Sequence, residues 1–316
     1  ALSSAASDVY KRQDLDEYDE VLKKYGMCSI TTVGSMEELR KFKQTLDDIG
    51  NPVDLIASTK ENGHGVRAVY VNGRLYNGST RGRYKKGRDI TRHLKAVLPN
   101  YVEQWKNIRI VEVRGEMLVS KDTFETYLKG TLKTPLSSVT SLIRDSVTDE
   151  ELKYLEMVCY KVISSDDSLK FNTLWDEFEH LKSCGFQIPE IAGAKNVTSD
   201  ILDHAVEVIL NYFERLMDED KIRFACDGIV VAINDNNTFY STGKSGNSWN
   251  GNIALKMGRY WESNVYSSVI EKIQFIPGKS YITPKAIIKP VVTGNGAEVT
   301  NCLLYTSPSP RDGATS

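Results

Sequence analysis

The stretch Ser58-Thr59-Lys60-Glu61-Asn62-Gly63 constrains this chain more than any other, because a hairpin follows it directly. Val66 to Tyr76 reads as a strand, a Val71-Asn72-Gly73-Arg74 turn and a second strand. Ser79-Thr80-Arg81-Gly82 comes next, and Gly87-Arg88-Asp89-Ile90-Thr91 after it. A lysine and a glycine three apart mean little alone. A lysine placed before a hairpin that carries its own arginine-glycine corner is an arrangement that presents an amine to a phosphate.

The two ends read differently from the middle. Ser3 to Gln13 and Cys302 to Asp312 lack hydrophobic periodicity and read as translated sequencing adapter. Residues 1–13 and 302–316 are therefore expected to be foreign, and about Asp14 to Asn301 to be a gene fragment cut at both ends. A natural Ser/Ala-rich head and Pro/Ser-rich tail is the other reading. Of 40 basic and 42 acidic residues, Lys11, Arg12, Arg311, Asp8 and Asp312 fall in the ends, which leaves 37 and 40 and a net charge of -3. So small a charge drives the chain onto neither nucleic acid nor membrane as a whole. No run of about 18 apolar residues suggests a membrane span. Cys28, Cys159, Cys184 and Cys226 are too far apart for a zinc pair or a disulfide framework, which favours a reducing, cytoplasmic setting.

Ser35 and Glu38 form a capping box ahead of a helix whose stripe is Leu39, Phe42 and Leu46. Val53 to Ala57 is a short strand leading to Lys60. Ile108 to Leu118 alternates like a strand, and Asp122 to Leu128 looks helical. Further strands are expected over Tyr154 to Ile163, Phe224 to Ile233 and Asn252 to Met257, and amphipathic helices over Phe171 to Cys184 and Asp200 to Glu219. Strands and helices mix without strict alternation, which argues an α+β fold. From Ser263 onward, Val269 to Phe275 and Ala286 to Val292 read as strands of a small β domain.

Taken in order, these segments resemble the adenylation domain of NAD-dependent DNA ligases, within the covalent nucleotidyltransferase superfamily. The resemblance rests on Lys60-Glu61-Asn62-Gly63, on Thr80-Arg81-Gly82 with Gly87-Arg88-Asp89-Ile90-Thr91, and on Glu112-Val113-Arg114-Gly115-Glu116. Asp227-Gly228-Ile229-Val230-Val231 and Ala254-Leu255-Lys256 complete the series. It covers about Met27 to Asn301. It implies a nucleotidyltransferase domain of antiparallel sheets with flanking helices over residues 14–262. The start of an OB-fold β-barrel over residues 263–301 is implied by Ile282-Thr283-Pro284-Lys285-Ala286 and Lys289-Pro290-Val291.

A free lysine is mostly protonated at neutral pH and so a poor nucleophile, and burial or nearby cations make it a better one. The resemblance makes Lys60 the nucleophile that takes AMP from NAD. Lys256, on an apolar strand, would hold the same α-phosphate, or else be an edge-strand lysine. Glu116 would accept hydrogen bonds from ribose hydroxyls, Arg81 would hold phosphate or ribose, and Tyr160 would stack on adenine, although a core tyrosine fits as well. Asp227 lies in an apolar run and calls for a partner: magnesium (Mg2+), or an Asp-Gly turn at a bulge. Arg81, Arg83, Lys85, Lys86, Arg88, Arg92 and Lys95 crowd one segment opposed only by Asp89, either a track for DNA phosphates or a solvated loop. Arg144 matches a family arginine near the nick. The implied partner is nicked double-stranded DNA, the implied state a monomer.

The sequence also departs from the family. Ser58 stands where a glutamate contacts adenine, Asn62 where the lysine motif has aspartate, Ala232 where a lysine is usual, and Leu136 where an arginine is usual. Glu17-Tyr18-Asp19 is a partial match to the module that grips nicotinamide mononucleotide. These departures keep two alternatives open: an ATP-dependent DNA or RNA ligase on the same scaffold, or a catalytically weak nucleic-acid-binding relative.

Overall fold

The computed structural model describes residues 30–34, 39–81, 87–166, 168–256, 267–277, 282–292 and 298–303. The chain divides into two compact units, residues 1–258 and 259–316. The strands of the first unit are β1 (Thr32–Val33), β2 (Val53–Glu61), β3 (His64–Val71), β4 (Arg74–Thr80), β5 (Ile110–Leu118), β6 (Glu156–Ser164), β7 (Ile191–Val197), β8 (Cys226–Ile233), β9 (Lys244–Ser245), β10 (Ser248–Trp249) and β11 (Asn252–Leu255). One sheet runs β1-β11-β8-β2-β7, a second β4-β3-β5-β6, and β9 pairs with β10. Every pairing is antiparallel except β1 with β11.

The expected hairpin is β3 and β4, turned at Asn72 (φ 47°) and Gly73 (φ 75°). Two positive φ values match the right-handed twist of the flanking strands, and Asn-Gly adopts them at low cost. Gly73 is also required sterically, because a Cβ there would lie 2.5 Å from the Val102 carbonyl oxygen.

β5 sits between β3 and β6, and both its faces are covered. Its alternation foretells a polar face, and that face is interior. Glu112 is fully buried and accepts from Arg114 Nε at 2.6 Å, while Arg67 of β3 reaches Glu112 Oε2 at 3.5 Å. The carboxylate is buried as part of an ionic network, which offsets its desolvation. The other face packs the main core, where Trp105 lies edge-on to Tyr70 (5.2 Å) and stacked on Phe186 (5.3 Å). Trp105 Nε1 donates to His180 Nε2 at 2.9 Å.

Several sequence expectations change at their edges. The helix carrying Phe42 and Leu46 runs Arg40–Ile49, and the proposed Ser35–Glu38 box lies outside the described residues. β2 does not stop at Ala57 but continues through Lys60, because β8 pairs with it along its length. Asp122 to Leu128 is a short α-turn followed by a π-helical turn, Phe124–Leu128. β11 ends at Leu255, one residue before Lys256. The helix Pro135–Leu142 has a signal in its start, Thr134-Pro135 with Ser137 closing a reciprocal cap.

In the second unit, β12 (Ile270–Pro277), β13 (Ile282–Val292) and β14 (Glu298–Leu303) form an antiparallel sheet in the order β12-β13-β14. β14 carries the pairing two residues past Asn301, through Cys302 opposite Ala286 and Leu303 opposite Lys285.

Candidate active site

The two large sheets of the first unit contribute the walls of a cleft of about 470 Å³. Ser58, Lys60, Glu61, Val230, Ala232 and Asn252 come from the five-stranded sheet; Arg114, Glu116, Tyr160 and Lys161 come from the four-stranded one. Arg81, the residue after β4, lines it too, with its backbone N–H bonded to the Gly65 carbonyl at 2.7 Å.

A bulge sets the chemistry at one end. Lys60 pairs with Gly228 and Glu61 with Cys226, which leaves Asp227 as the extra residue of β8. A bulge bends its strand and re-aims a side chain. Here Lys60 Nζ donates to both oxygens of Asp227, at 2.8 and 2.9 Å. Gly228 must be small, since a Cβ would lie 2.3 Å from the Leu255 carbonyl oxygen. The bulge and the Asp-Gly pair are therefore real, and they coexist with the ionic role of Asp227.

Two more carboxyls flank Lys60. Burial pushes Glu61 up to about 7, against the pull of a hydrogen bond from Thr59 Oγ1. Burial also pushes Glu116 up to about 7, with Lys60 opposing the shift and Glu61 adding to it. Both are half-buried, unlike the solvated glutamate that Glu116 resembles in isolation.

A second bulge shapes the other wall. Arg114 pairs with Lys161 and Gly115 with Cys159, so Tyr160 is the extra residue of β6. Successive strand residues normally face opposite sides; the bulge lets Tyr160 and Lys161 both line the cleft. Lys161 Nζ donates to Glu177 Oε2 at 2.7 Å, and Glu177 is only 2% exposed. Burial works against that ammonium, but Glu177 and Tyr240 more than offset it and hold it charged. Sequence reasoning misses Lys161 and Glu177; the available signal is a lysine inside the apolar run Met157 to Val162.

The cleft thus brings together Lys60, Glu116, Arg81 and Tyr160, with Asp227 bound to Lys60. Lys256 is exposed and does not line it. It follows β11, its Cα 3.7 Å from where a Cβ of Gly228 would stand. Its side chain is exposed rather than inward-facing. Arg144 is exposed beyond the helix Pro135–Leu142. The basic segment is not opposed by Asp89 alone: Arg88 pairs with Asp145 at 2.6 Å and Arg92 with Asp149 at 2.5 Å. Arg83, Lys85 and Lys86 lie outside the described residues. Among the described residues no three His, Cys, Asp or Glu side chains gather as a metal cage. No helix among them is long and apolar enough to cross a membrane.

Curated relatives include a DNA ligase of Marinobacter nauticus, 27% identical over 91% of this chain and 43% of its own length. A DNA ligase of Mycoplasmopsis pulmonis is 25% identical over 93% of this chain and 44% of its own. The chain spans less than half the length of these relatives. An archaeal ATP-dependent RNA ligase structure has a TM-score of 0.44 over 74% of this chain and 49% of its own, at 14% identity, a likeness too slight to bear on chemistry. Residues 15–257 match the model of the NAD-dependent DNA ligase adenylation domain. By that match, which takes in both walls of the cleft, the chain belongs to the NAD-dependent DNA ligase adenylation domain family.

Proposed function

We propose that this chain is the nucleotide-transferring part of an NAD-dependent ligase that seals nicked double-stranded DNA. The observation that carries the reading is the Lys60–Asp227 pair, set in a cleft whose walls hold Glu116, Arg81 and Tyr160. Lys60 Nζ attacks the α-phosphorus of NAD. Lys60 first gives one proton to Asp227, its hydrogen-bonded acceptor, and the freed lone pair forms the N–P bond; the P–O bond to nicotinamide mononucleotide breaks, and the leaving phosphate takes up the second proton of Nζ. The AMP then moves to the 5′-phosphate at a nick, and the 3′-hydroxyl displaces it. Arg81 positions phosphate, Glu116 accepts from the ribose and Tyr160 stacks on the base.

A donor set of few carboxylates suits magnesium, which binds through one or two of them and through substrate phosphates. Asp227 would hold that ion, which would offset phosphate charge. Lys256, beside Gly228 at the end of β11, and Arg144, with the segment Arg83, Lys85 and Lys86, are assigned to phosphates of the substrates. Residues 14–262 form the adenylation domain and the sheet β12-β13-β14 the start of an OB-fold. The protein acts as a cytoplasmic monomer.

The test is the intact mass of the chain after magnesium with NAD or with ATP, beside Lys60→Ala. One added AMP from NAD alone, lost in the variant, is the expected result. Labelling from ATP alone transfers the chain to the ATP-dependent class. No adduct from either nucleotide, repeated with the full-length gene product, leaves a nucleic-acid-binding relative without transfer chemistry.

A further inference from the structure

The end of the cleft away from Asp227 is apolar and aromatic, with Phe178, Phe239, Tyr240 and Trp249 in its walls. Tyr240 and Trp249 meet edge to face at 5.0 Å. The charged side chain lodged in this end is Lys161. Its ammonium stands 5.7 Å from the Tyr240 ring and 2.7 Å from Glu177 Oε2.

That placement limits what Lys161 can bind. Its charge is already matched by the buried Glu177, so the subsite is close to neutral and poorly suited to a phosphate. An ammonium has three hydrogens and no acceptor. Glu177 takes one and the Tyr240 hydroxyl another, which leaves one for a ligand in the cleft. Asn252, on β11 beside Ala232, lines the same cleft and supplies the opposite character. Its Oδ1 is covered by its neighbours and has no hydrogen-bond partner, a costly state for an acceptor that a turn of the amide toward the cleft would relieve. A flat ring that offers one acceptor and one donor on its edge would satisfy both groups.

We propose that Lys161 and Asn252 read the edge of the purine, Lys161 donating to a ring nitrogen and Asn252 Oδ1 accepting from the exocyclic amine. Both are specificity-determining residues, and their work is done where Ser58 and Ala232 leave the wall without a charge. The bulge at Tyr160 makes this possible, because it turns the stacking ring and the reading ammonium into one cleft. Glu177 is a positioning residue for Lys161. The inference rests on the adenylation reading above.

The experiment is calorimetric titration of the whole chain with AMP, with 1-deaza-AMP and 7-deaza-AMP (each lacking one ring nitrogen), and with IMP, whose amine is replaced by oxygen. Wild-type protein should bind AMP about tenfold or more tightly than one of the deaza analogues, and more tightly than IMP. Lys161→Met should bind AMP and that analogue alike, and Asn252→Ala should lose the preference over IMP. Equal binding of AMP and both deaza analogues by wild type overturns the inference, and needs no variant to fold. A deaza penalty that persists in a folded Lys161→Met protein overturns it as well. If AMP does not bind at all, the adenylation reading falls first, and this subsite with it.

Discussion

Lys60 and Asp227 keep 33% and 41% of their side-chain surface in water, so their ion pair is screened. Pairs of this kind contribute about 0–1 kcal/mol to stability. Asp227→Asn should therefore change the urea midpoint little while lowering the rate of AMP transfer to Lys60 about a hundredfold or more, as loss of a proton acceptor does. Quench-flow mass spectrometry with NAD reads the rate, and a midpoint that collapses with it would mark Asp227 as structural. Glu61 and Glu116 behave differently, because their folded values near 7 lie above the ordinary carboxylate value. Between that value and about 7 the folded state holds more protons than the unfolded one. Stability is thus lost as pH rises through this window and is level above it. Glu61→Gln should flatten the slope of unfolding free energy between about pH 5 and about pH 8, and be stabilising at the upper end. An unchanged slope would place the titration elsewhere.

At the scale of elements, the bulges and corners do the positioning. Gly63 ends the turn from β2 into β3, where a Cβ would come within 2.5 Å of the Met117 carbonyl oxygen. Gly228 is as tightly held against Leu255. Because the obstructing atoms are backbone, neither clash can be relieved by a side-chain rotation. Gly228→Ala should cost about 1–3 kcal/mol in urea unfolding and spread Lys60 from Asp227, so that AMP transfer falls with it. The start of the helix Pro135–Leu142 is a separate device. Thr134 Oγ1 accepts from the Ser137 backbone N–H at 3.1 Å, and Ser137 Oγ accepts from the Thr134 N–H at 3.0 Å. Thr134→Ala should lower stability by about 1 kcal/mol and leave nucleotide binding alone, since this helix is outside the cleft wall.

Over the whole molecule, protection should be graded. β3, β5 and β6 share the main core, and β3 and β5 the buried Glu112 network. β12 instead exposes Ile270, Ile273, Phe275 and Ile276. Amide hydrogens of β5 and β6 should then exchange only through global opening, and those of β12 through local opening orders of magnitude faster. Hydrogen exchange followed by mass spectrometry reads both directly, and equal protection would mean that the two units open together.

Most elements, though not their exact ends, and the order of the chemistry-bearing motifs are legible in the residue pattern alone. Apolar alternation laid out β5, Asn72-Gly73 set the β3–β4 turn, and the spacing of Leu39, Phe42 and Leu46 set the first helix. Local propensity and periodicity need no long-range partner, so they are legible in one dimension. Lys60, Glu116 and Arg81 could be named because short motifs around them carry the family resemblance, and Tyr160 because it matches that family's stacking aromatic, although a core tyrosine fits as well. What tertiary structure decided is which of these meet and in what state. Lys60 lies inside β2 because β8 pairs alongside it, and Asp227 reaches it because one residue of β8 has no partner. Glu112 and Arg114 look like a solvated face until the fold buries both faces of the sheet that holds β5. Lys161, Glu177 and Asn252 carry no motif at all. Their significance is a matter of burial and of contacts between residues far apart in sequence, and those exist only once the chain has closed on itself.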